Sequence, residues 1–254
     1  MSIPAKTKTR LIEGIKKYRT VVKRVQGSDI NESDTVTVLV DILSEVFGYD
    51  KYTEITSELA IKKTYCDLAI KLEGDIKLLV EAKSAGIDLK DQHITQAVNY
   101  GANSGIEWVV LTNSVAWKVY KIIYGKPVEH DLIFEFNFAD LNPKKESDLE
   151  MLYLLSKESL AKSKNNDLEQ FCMQKELLNK WMVGQIILSE PVLDCIRKTL
   201  RKVSPDAKMT NQELTELLST EIIKRDVIED EKIKACKKTI AKALKPKATP
   251  KSEV

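Results

Sequence analysis

Asp67, Glu81 and Lys83 are the residues of this chain whose types and spacing can do chemistry, and all three lie in YCDLAIKLEGDIKLLVEAKS, Tyr65 to Ser84. Two carboxylates brought together repel. A divalent cation between them removes the repulsion, and hard oxygen donors are what Mg2+ or Mn2+ prefers. An ammonium beside such a cation can orient a water and stabilise the charge that builds on an attacked phosphate. The chemistry in prospect is metal-dependent phosphodiester hydrolysis. The plainer alternative for the same three side chains is the solvated polar face of a half-buried hairpin.

The elements that must position them follow from period two, because successive residues of a strand face opposite sides. On the first strand Leu68, Ile70 and Leu72 share a face, leaving Asp67, Ala69 and Lys71 on the other; on the second, Ile76, Leu78, Val80 and Ala82 oppose Lys77, Leu79, Glu81 and Lys83. Matching the apolar faces predicts Leu68 across from Val80, Ile70 from Leu78 and Leu72 from Ile76, with Glu73-Gly74-Asp75 as the turn. This register sets Asp67 opposite Glu81, where Cβ atoms come within about 4.5–5.5 Å. Lys83 points the same way.

The next segment, Asp91 to Ser104, has helix spacing, and Gln96 and Tyr100 stand four apart on one face. Taken alone they form a surface pair packing over the sheet. Ile106 to Asn113 reads as a buried strand, Val115 to Tyr124 as an alternating one, with Asn113-Ser114 as the turn between them. The predicted order is strand, strand, helix, strand, strand.

In this order the motifs resemble the PD-(D/E)XK nuclease superfamily, and within it the nuclease domain of type I restriction enzyme motor subunits. Asp67 falls on the family's first acid, Glu81-Ala82-Lys83 on its ExK, and Gln96-Ala97-Val98-Asn99-Tyr100 on the QxxxY of that subgroup; Asn31 to Asp50 is similar to its opening helix. The resemblance spans about Asn31 to Tyr124. It implies an α/β, restriction-endonuclease-like core, a mixed central sheet flanked by helices, that hydrolyses DNA with Mg2+, Mn2+ substituting. It also implies that Asp67, Glu81 and the Ala82 carbonyl ligate the metal, that Glu32 adds an outer contact, that Lys83 acts on the water, and that Gln96 and Tyr100 hold the phosphate backbone or position the substrate strand. Capping of the helix start is the alternative role for Glu32, and Glu45 is a rival ligand in the same helix. Two departures stand out. Cys66, not proline, precedes Asp67, and no GxxxxGK[ST] phosphate loop occurs, so ATP-driven translocation is not implied.

Composition agrees with a chain of this class. With 254 residues, 43% of them hydrophobic, one core plus an appendage is expected, and a net charge of +2 argues neither for nor against nucleic acid. Cys66, Cys172, Cys195 and Cys236 show no paired spacing, which disfavours structural zinc or a disulfide frame. His93 and His130 lack ligand partners at useful spacing. The first helix is basic, with Leu11, Ile15, Tyr18 and Val22 as its buried stripe. No signal peptide and no apolar run of about 20 residues is present. The expectation is a cytoplasmic protein with no membrane association.

Asp131 to Phe138 reads as the last strand, giving a core over 1–140, a helical region over 141–241 and a disordered basic tail over 242–254. Glu146 to Ser156 should pack a helix on the core, Ser159 to Asn166 should connect, and Asp167 to Ser189 should form one long amphipathic helix with Leu168, Phe171, Leu177, Leu178, Trp181 and Ile186 buried. Helices opening near Glu190 and Thr210 follow. This region is expected to clamp DNA, dimerise or bind a partner protein, and a homodimer is one way to supply the two sites that cutting a duplex calls for. Two other classes of function fit the same residues: a catalytically silent DNA- or partner-binding protein of this fold, and an interaction module acting through its C-terminal helices.

Overall fold

A computed structural model describes residues 2–28, 30–61, 64–162, 166–206, 208–229 and 232–244. Two helices, α1 (Ala5–Gln26) and α2 (Glu32–Glu45), precede a hairpin-rich run of β1 (Ile55–Ile61), β2 (Thr64–Leu72) and β3 (Asp75–Ala82). Helix α3 (Asp91–Ser104) then crosses to β4 (Trp108–Thr112), followed by β5 (Ala116–Ile123) and β6 (Glu129–Asn137). The six strands make one sheet in chain order, antiparallel except for β3 and β4, which are parallel. A parallel pair needs a crossover, and α3 supplies it. The α/β class with a mixed sheet flanked by helices is therefore the observed one.

The central hairpin keeps part of the predicted register and corrects the rest. Leu68 pairs with Val80 and Ile70 with Leu78 as expected, but Leu72 pairs with Asp75 and Lys71 with Ile76. The cause is the turn. Glu73 and Gly74 both have positive φ, 54° and 88°, the signature of a two-residue type I′ turn that closes the hairpin one residue earlier than a three-residue turn would. A bulge between Ile70 and Lys71 absorbs the resulting one-residue mismatch.

A second correction concerns exposure. Sequence alternation predicts a hairpin with one polar face; both faces are covered. Leu68, Ile70 and Val80 are fully buried on one side, and so are Ala69 and Leu79 on the other. Helix α2, which packs on β3, explains half of this. β1 pairs edge to edge with β2 and is a strand the sequence does not announce: Ser57 interrupts the apolar set of Ile55, Leu59 and Ile61. The other half is α3, whose Ile94, Ala97, Val98 and Tyr100 form one cluster with Ala69, Leu79, Val109, Leu111 and Ile122. Both hairpin strands are thus covered on two faces, which for β3 goes with its parallel pairing to β4.

Gly101 lets α3 approach that closely. A Cβ there would lie 2.5 Å from Ile122 Cδ1 and 2.9 Å from the Ile106 carbonyl oxygen. Because one of those atoms is backbone, the strain cannot relax by a rotamer change, and Gly101→Ala is expected to destabilise the fold by about 1–3 kcal/mol despite its better helix propensity. Urea unfolding of the two proteins checks this; equal midpoints would show the helix can lift off the sheet without cost.

Helix α1 buries Leu11, Ile15, Tyr18 and Val22 as its spacing predicts. It packs on α2 and on α4 (Glu146–Leu154), and α4 and α5 (Lys157–Leu160) belong to the sheet's own compact unit. That unit runs to Gln170, past the expected boundary near residue 140. The ties are specific: the Tyr49 hydroxyl donates to the Leu155 carbonyl at 2.7 Å, the Lys157 N–H to the Phe47 carbonyl at 2.9 Å, and Arg10 holds Glu158 through both its terminal nitrogens. Part of the predicted 159–166 connector lies outside the described residues.

The second unit begins at Phe171. The predicted long helix over Asp167 to Ser189 is two helices, α6 (Asp167–Leu177) and α7 (Lys180–Ile187), because Asn179 turns the chain and caps α7 by accepting the Met182 N–H at 2.7 Å. Three residues of the predicted buried stripe are consequently exposed: Leu177, Leu178 and Ile186. Helices α8 (Glu190–Val203), α9 (Asn211–Leu217), α10 (Arg225–Ile228) and α11 (Lys232–Ala243) follow. Their small core gathers Leu193, Leu214 and Leu218. Lys242 and Ala243 of the predicted tail are helical, and 245–254 lie outside the described residues. Among the described residues no helix is long and apolar enough to cross a membrane.

Candidate active site

The carboxyl ends of β3 and β4 lie side by side, with Glu81 paired to Leu111 and Ala82 to Thr112. The Lys83 N–H donates to the Thr112 carbonyl at 2.9 Å, which continues the ladder past the strand's end. Open sheets place their ligand-handling residues at such carboxyl ends. Glu81 and Lys83 emerge there on one face, two residues apart.

Asp67 is tied to the same spot from β2. Its Oδ2 accepts the Ala82 N–H at 2.7 Å, so the first acid is fixed by the backbone of the residue between the other two. Glu81 is 3% exposed; its Oε1 accepts from Lys83 Nζ at 2.8 Å, while its Oε2 is buried with no hydrogen-bond partner among the described residues. Lys83 Nζ also donates to the Ala82 carbonyl at 2.7 Å and lies 3.4 Å from Glu32 Oε2.

Glu32 reaches this group because it opens α2 without having to cap it. Asn31 does the capping, its Oδ1 accepting the Asp34 N–H at 2.8 Å. Glu45 sits at the far end of α2, bonded to Lys17 and Tyr18. It is not part of the site.

Lys83 thus faces the Glu81 and Glu32 carboxylates with the Asp67 charge behind them, and of these acids Glu81 is almost out of water. Burial, which Lys83's hydrogen bond only partly offsets and the Asp67 charge reinforces, pushes the Glu81 carboxyl up to about 7. Burial alone would lower Lys83, but the hydrogen bond and charge of Glu81, with Glu32 and Asp67 behind, hold it above the usual lysine value. The Cys66 thiol, buried beside the same acids, is pushed up to about 12 by burial first and then by Glu81 and Asp67. It is an inert neighbour in its thiol form.

The donor set fits a hard divalent cation. Every candidate atom is an oxygen, from Asp67, Glu81, Glu32 and the Ala82 carbonyl, and the orphaned Glu81 Oε2 is a buried acceptor whose unmet demand costs about 1–3 kcal/mol. Among the described residues no three His, Cys, Asp or Glu side chains already stand as a finished cage. Lys83 instead engages the Ala82 carbonyl and Glu81 Oε1, and its stem is long enough to swing clear.

Gln96 and Tyr100 are not placed alike. Gln96 is exposed on α3, whereas Tyr100 is 2% exposed and its hydroxyl is buried without a hydrogen-bond partner among the described residues. The reason is helical drift: four residues exceed one turn by about 40°, so the stripe they share rotates from solvent into the face set by Ala97 and Gly101. Contact between Tyr100 and a phosphate is therefore not what its position offers; it packs the helix onto Leu79 and Cys66. His93 closes the start of α3, its Nδ1 accepting the Lys90 N–H at 3.2 Å.

Asn113 is a positioning residue that sequence reading treats only as part of a turn. Its side chain donates to the Ile87 carbonyl at 2.8 Å and accepts the N–H of Ala116 at 2.7 Å, while Lys118 Nζ donates to the Leu89 carbonyl at 3.1 Å. Together they pin the loop that leaves Lys83 for α3. An Asn in a tight turn after a buried strand was the available signal.

Residues 32–136 match the family model of the type I restriction enzyme R protein N terminus. The match opens on Glu32, closes in β6, and takes in Asp67, Glu81, Lys83, Gln96 and Tyr100. The chain is similar to that domain over this stretch. Comparison with curated proteins found no match. Comparison with solved structures found none either.

Proposed function

We propose that this protein is a restriction-type nuclease that hydrolyses DNA phosphodiester bonds with Mg2+. The observation that carries the reading is the meeting of Asp67, Glu81, Glu32 and Lys83 at the carboxyl end of the parallel strand pair, with one buried Glu81 oxygen left unsatisfied. The family match over 32–136 supports it.

In this reading the chain's own groups divide the work. Asp67, Glu81 and the Ala82 carbonyl would hold the cation, with Glu32 as an outer contact; when bound, Mg2+ supplies Lewis acidity toward a phosphoryl oxygen and lowers the pKa of water. Lys83 stands beside those oxygens with a protonated amine, which can orient the attacking water and offset charge building on phosphorus in an in-line displacement. The Ala82 N–H keeps Asp67 from rotating away. Exposed Gln96 is a candidate contact to the backbone of the bound strand. No covalent enzyme intermediate is required.

Cleavage of supercoiled plasmid in Mg2+ or Mn2+ tests this, with Asp67→Asn as the key variant. The amide oxygen can still accept the Ala82 N–H, so folding is kept while the ligand charge is lost, and a rate loss of about 10³ or more is expected. Wild-type speed in Asp67→Asn would reject the assignment.

The lysine's grip on the Ala82 carbonyl favours a second reading, a silent DNA-binding protein whose internal ion pair replaces the metal. Calorimetric titration with Mn2+ separates the two. Absence of heat together with an intact plasmid would select the silent form.

A further inference from the structure

The two compact units differ in charge sign. Up to Gln170 the chain has 23 Lys and Arg against 26 Asp and Glu; from Phe171 it has 17 against 12. Several cations of the first unit are also neutralised locally, Lys8 by Glu146, Arg10 by Glu158 and Lys17 by Glu45. A polyanion is therefore not drawn by the first unit's net charge, and its site gathers three acids besides.

We propose that the C-terminal helical unit grips the phosphate backbone of a DNA duplex through two cationic helix faces: Lys198, Arg201 and Lys202 on α8, and Lys234, Lys237 and Lys238 on α11. This rests on the nuclease reading for its choice of polyanion. Both triplets have the same spacing, i, i+3, i+4, which stacks the three charges on one helix surface. All six side chains are exposed, and none has an ion-pair partner among the described residues. Opposite them α8 buries Leu193 and α11 buries Ile233 and Cys236, and both helices pack on α7.

Local energetics do not account for the pattern. Like charges three and four apart on a helix cost a few tenths of a kcal/mol each. The helix dipole favours cations in the last turns of α8, but it opposes Lys234 near the start of α11, a helix with no acid at all. Cations held together against their own repulsion match a ligand that carries dense negative charge. From Lys234 to Lys238 α11 advances about 6 Å, and a duplex presents one charge per about 1.7 Å of its axis, so each triplet can meet about three phosphates.

The test is fluorescence anisotropy of a labelled DNA duplex in EDTA, where nothing is cut, over a series of salt concentrations. Replacing Lys234, Lys237 and Lys238 together by Gln is expected to weaken binding at least 10-fold at low salt and to flatten the slope of log K against log salt by about 2–3, since each lost phosphate contact removes about 0.9. Replacing Lys198, Arg201 and Lys202 by Gln should act in the same direction. The Arg triple at 234, 237 and 238 should bind as wild type, which separates charge from folding damage. Unchanged affinity and slope in both Gln triples would overturn the proposal. So would Gln triples that lose binding to anionic lipid vesicles or polyglutamate while duplex binding stays intact. Failure of the two readings is distinguishable: a protein that binds through these lysines yet leaves plasmid uncut in Mg2+ sinks the cleavage reading alone, and one that cuts at unchanged half-saturating DNA with the charges removed sinks this one alone.

Discussion

Glu81→Gln should move stability and activity in opposite directions. In EDTA the variant is expected to melt at a higher temperature than wild type above pH 7, by about 1–3 kcal/mol of unfolding free energy, while plasmid cleavage falls by about 10³ or more. Burial raises the Glu81 carboxyl to about 7 in the folded protein, above its unfolded value of 4.5. Stability linked to this group is thus fully present below about pH 4.5 and is lost as pH rises through about 7, because the folded site resists the charge that water accepts. Gln removes the charge and keeps the shape, and it still offers an oxygen to Lys83. The gain is smaller than burial alone implies, since Lys83 loses part of its counter-charge. Thermal melts from pH 5 to 8 check the sign. A wild type that gains stability over that range, with the variant below it, would show that Lys83 outweighs burial.

Lys83→Ala should give the second large effect. Loss of a preorganised donor beside developing charge typically costs about 10²–10³ in rate, so cleavage is expected to fall by that amount. Metal binding should respond in the contrary sense. The ammonium holds Glu81 Oε1 at 2.8 Å and the Ala82 carbonyl at 2.7 Å, both oxygens that the proposed cation would take, so its removal frees them and withdraws the positive charge from Glu81 and Glu32. The melting temperature of Lys83→Ala in EDTA is expected below that of wild type, and the rise on adding Mn2+ larger. Calorimetry in both states measures this directly. An equal Mn2+ response in the two proteins would mean that the lysine does not compete for the metal's ligands.

Both expected effects have one source. Glu81 is an acid buried at the end of β3, and in the proposed reaction Lys83 is both its counter-ion and the amine beside the water, so the charge that costs stability is the one catalysis would use.

The candidate site residues were legible because strand periodicity is a local property. Glu81 and Lys83, two apart on one strand, share a face whatever surrounds them, Asp67 joins them once the apolar faces of the hairpin are matched, and α3, β4, β5 and β6 announce themselves through runs of apolar residues with clear breaks. The helix stripe of α1 was readable for the same reason. What lies outside local period was not. A type I′ turn at Glu73-Gly74 shifted the register, Asn179 divided one apparent helix into two, and β1 was hidden by Ser57.

Only the tertiary structure could decide the environment of those residues. It put Tyr100 in the core and Gln96 in solvent, brought Glu32 to Lys83 and kept Glu45 away, and carried α4 and α5 into the sheet's own unit. Burial, electrostatic perturbation and the pairing of distant charges depend on which elements cover a strand, and that is set by contacts between segments far apart in the chain. The sequence determined which groups stand together on β3; the packing of α2, β2 and α3 around them decided that they meet in one place, with one buried Glu81 oxygen left without a hydrogen-bond partner among the described residues.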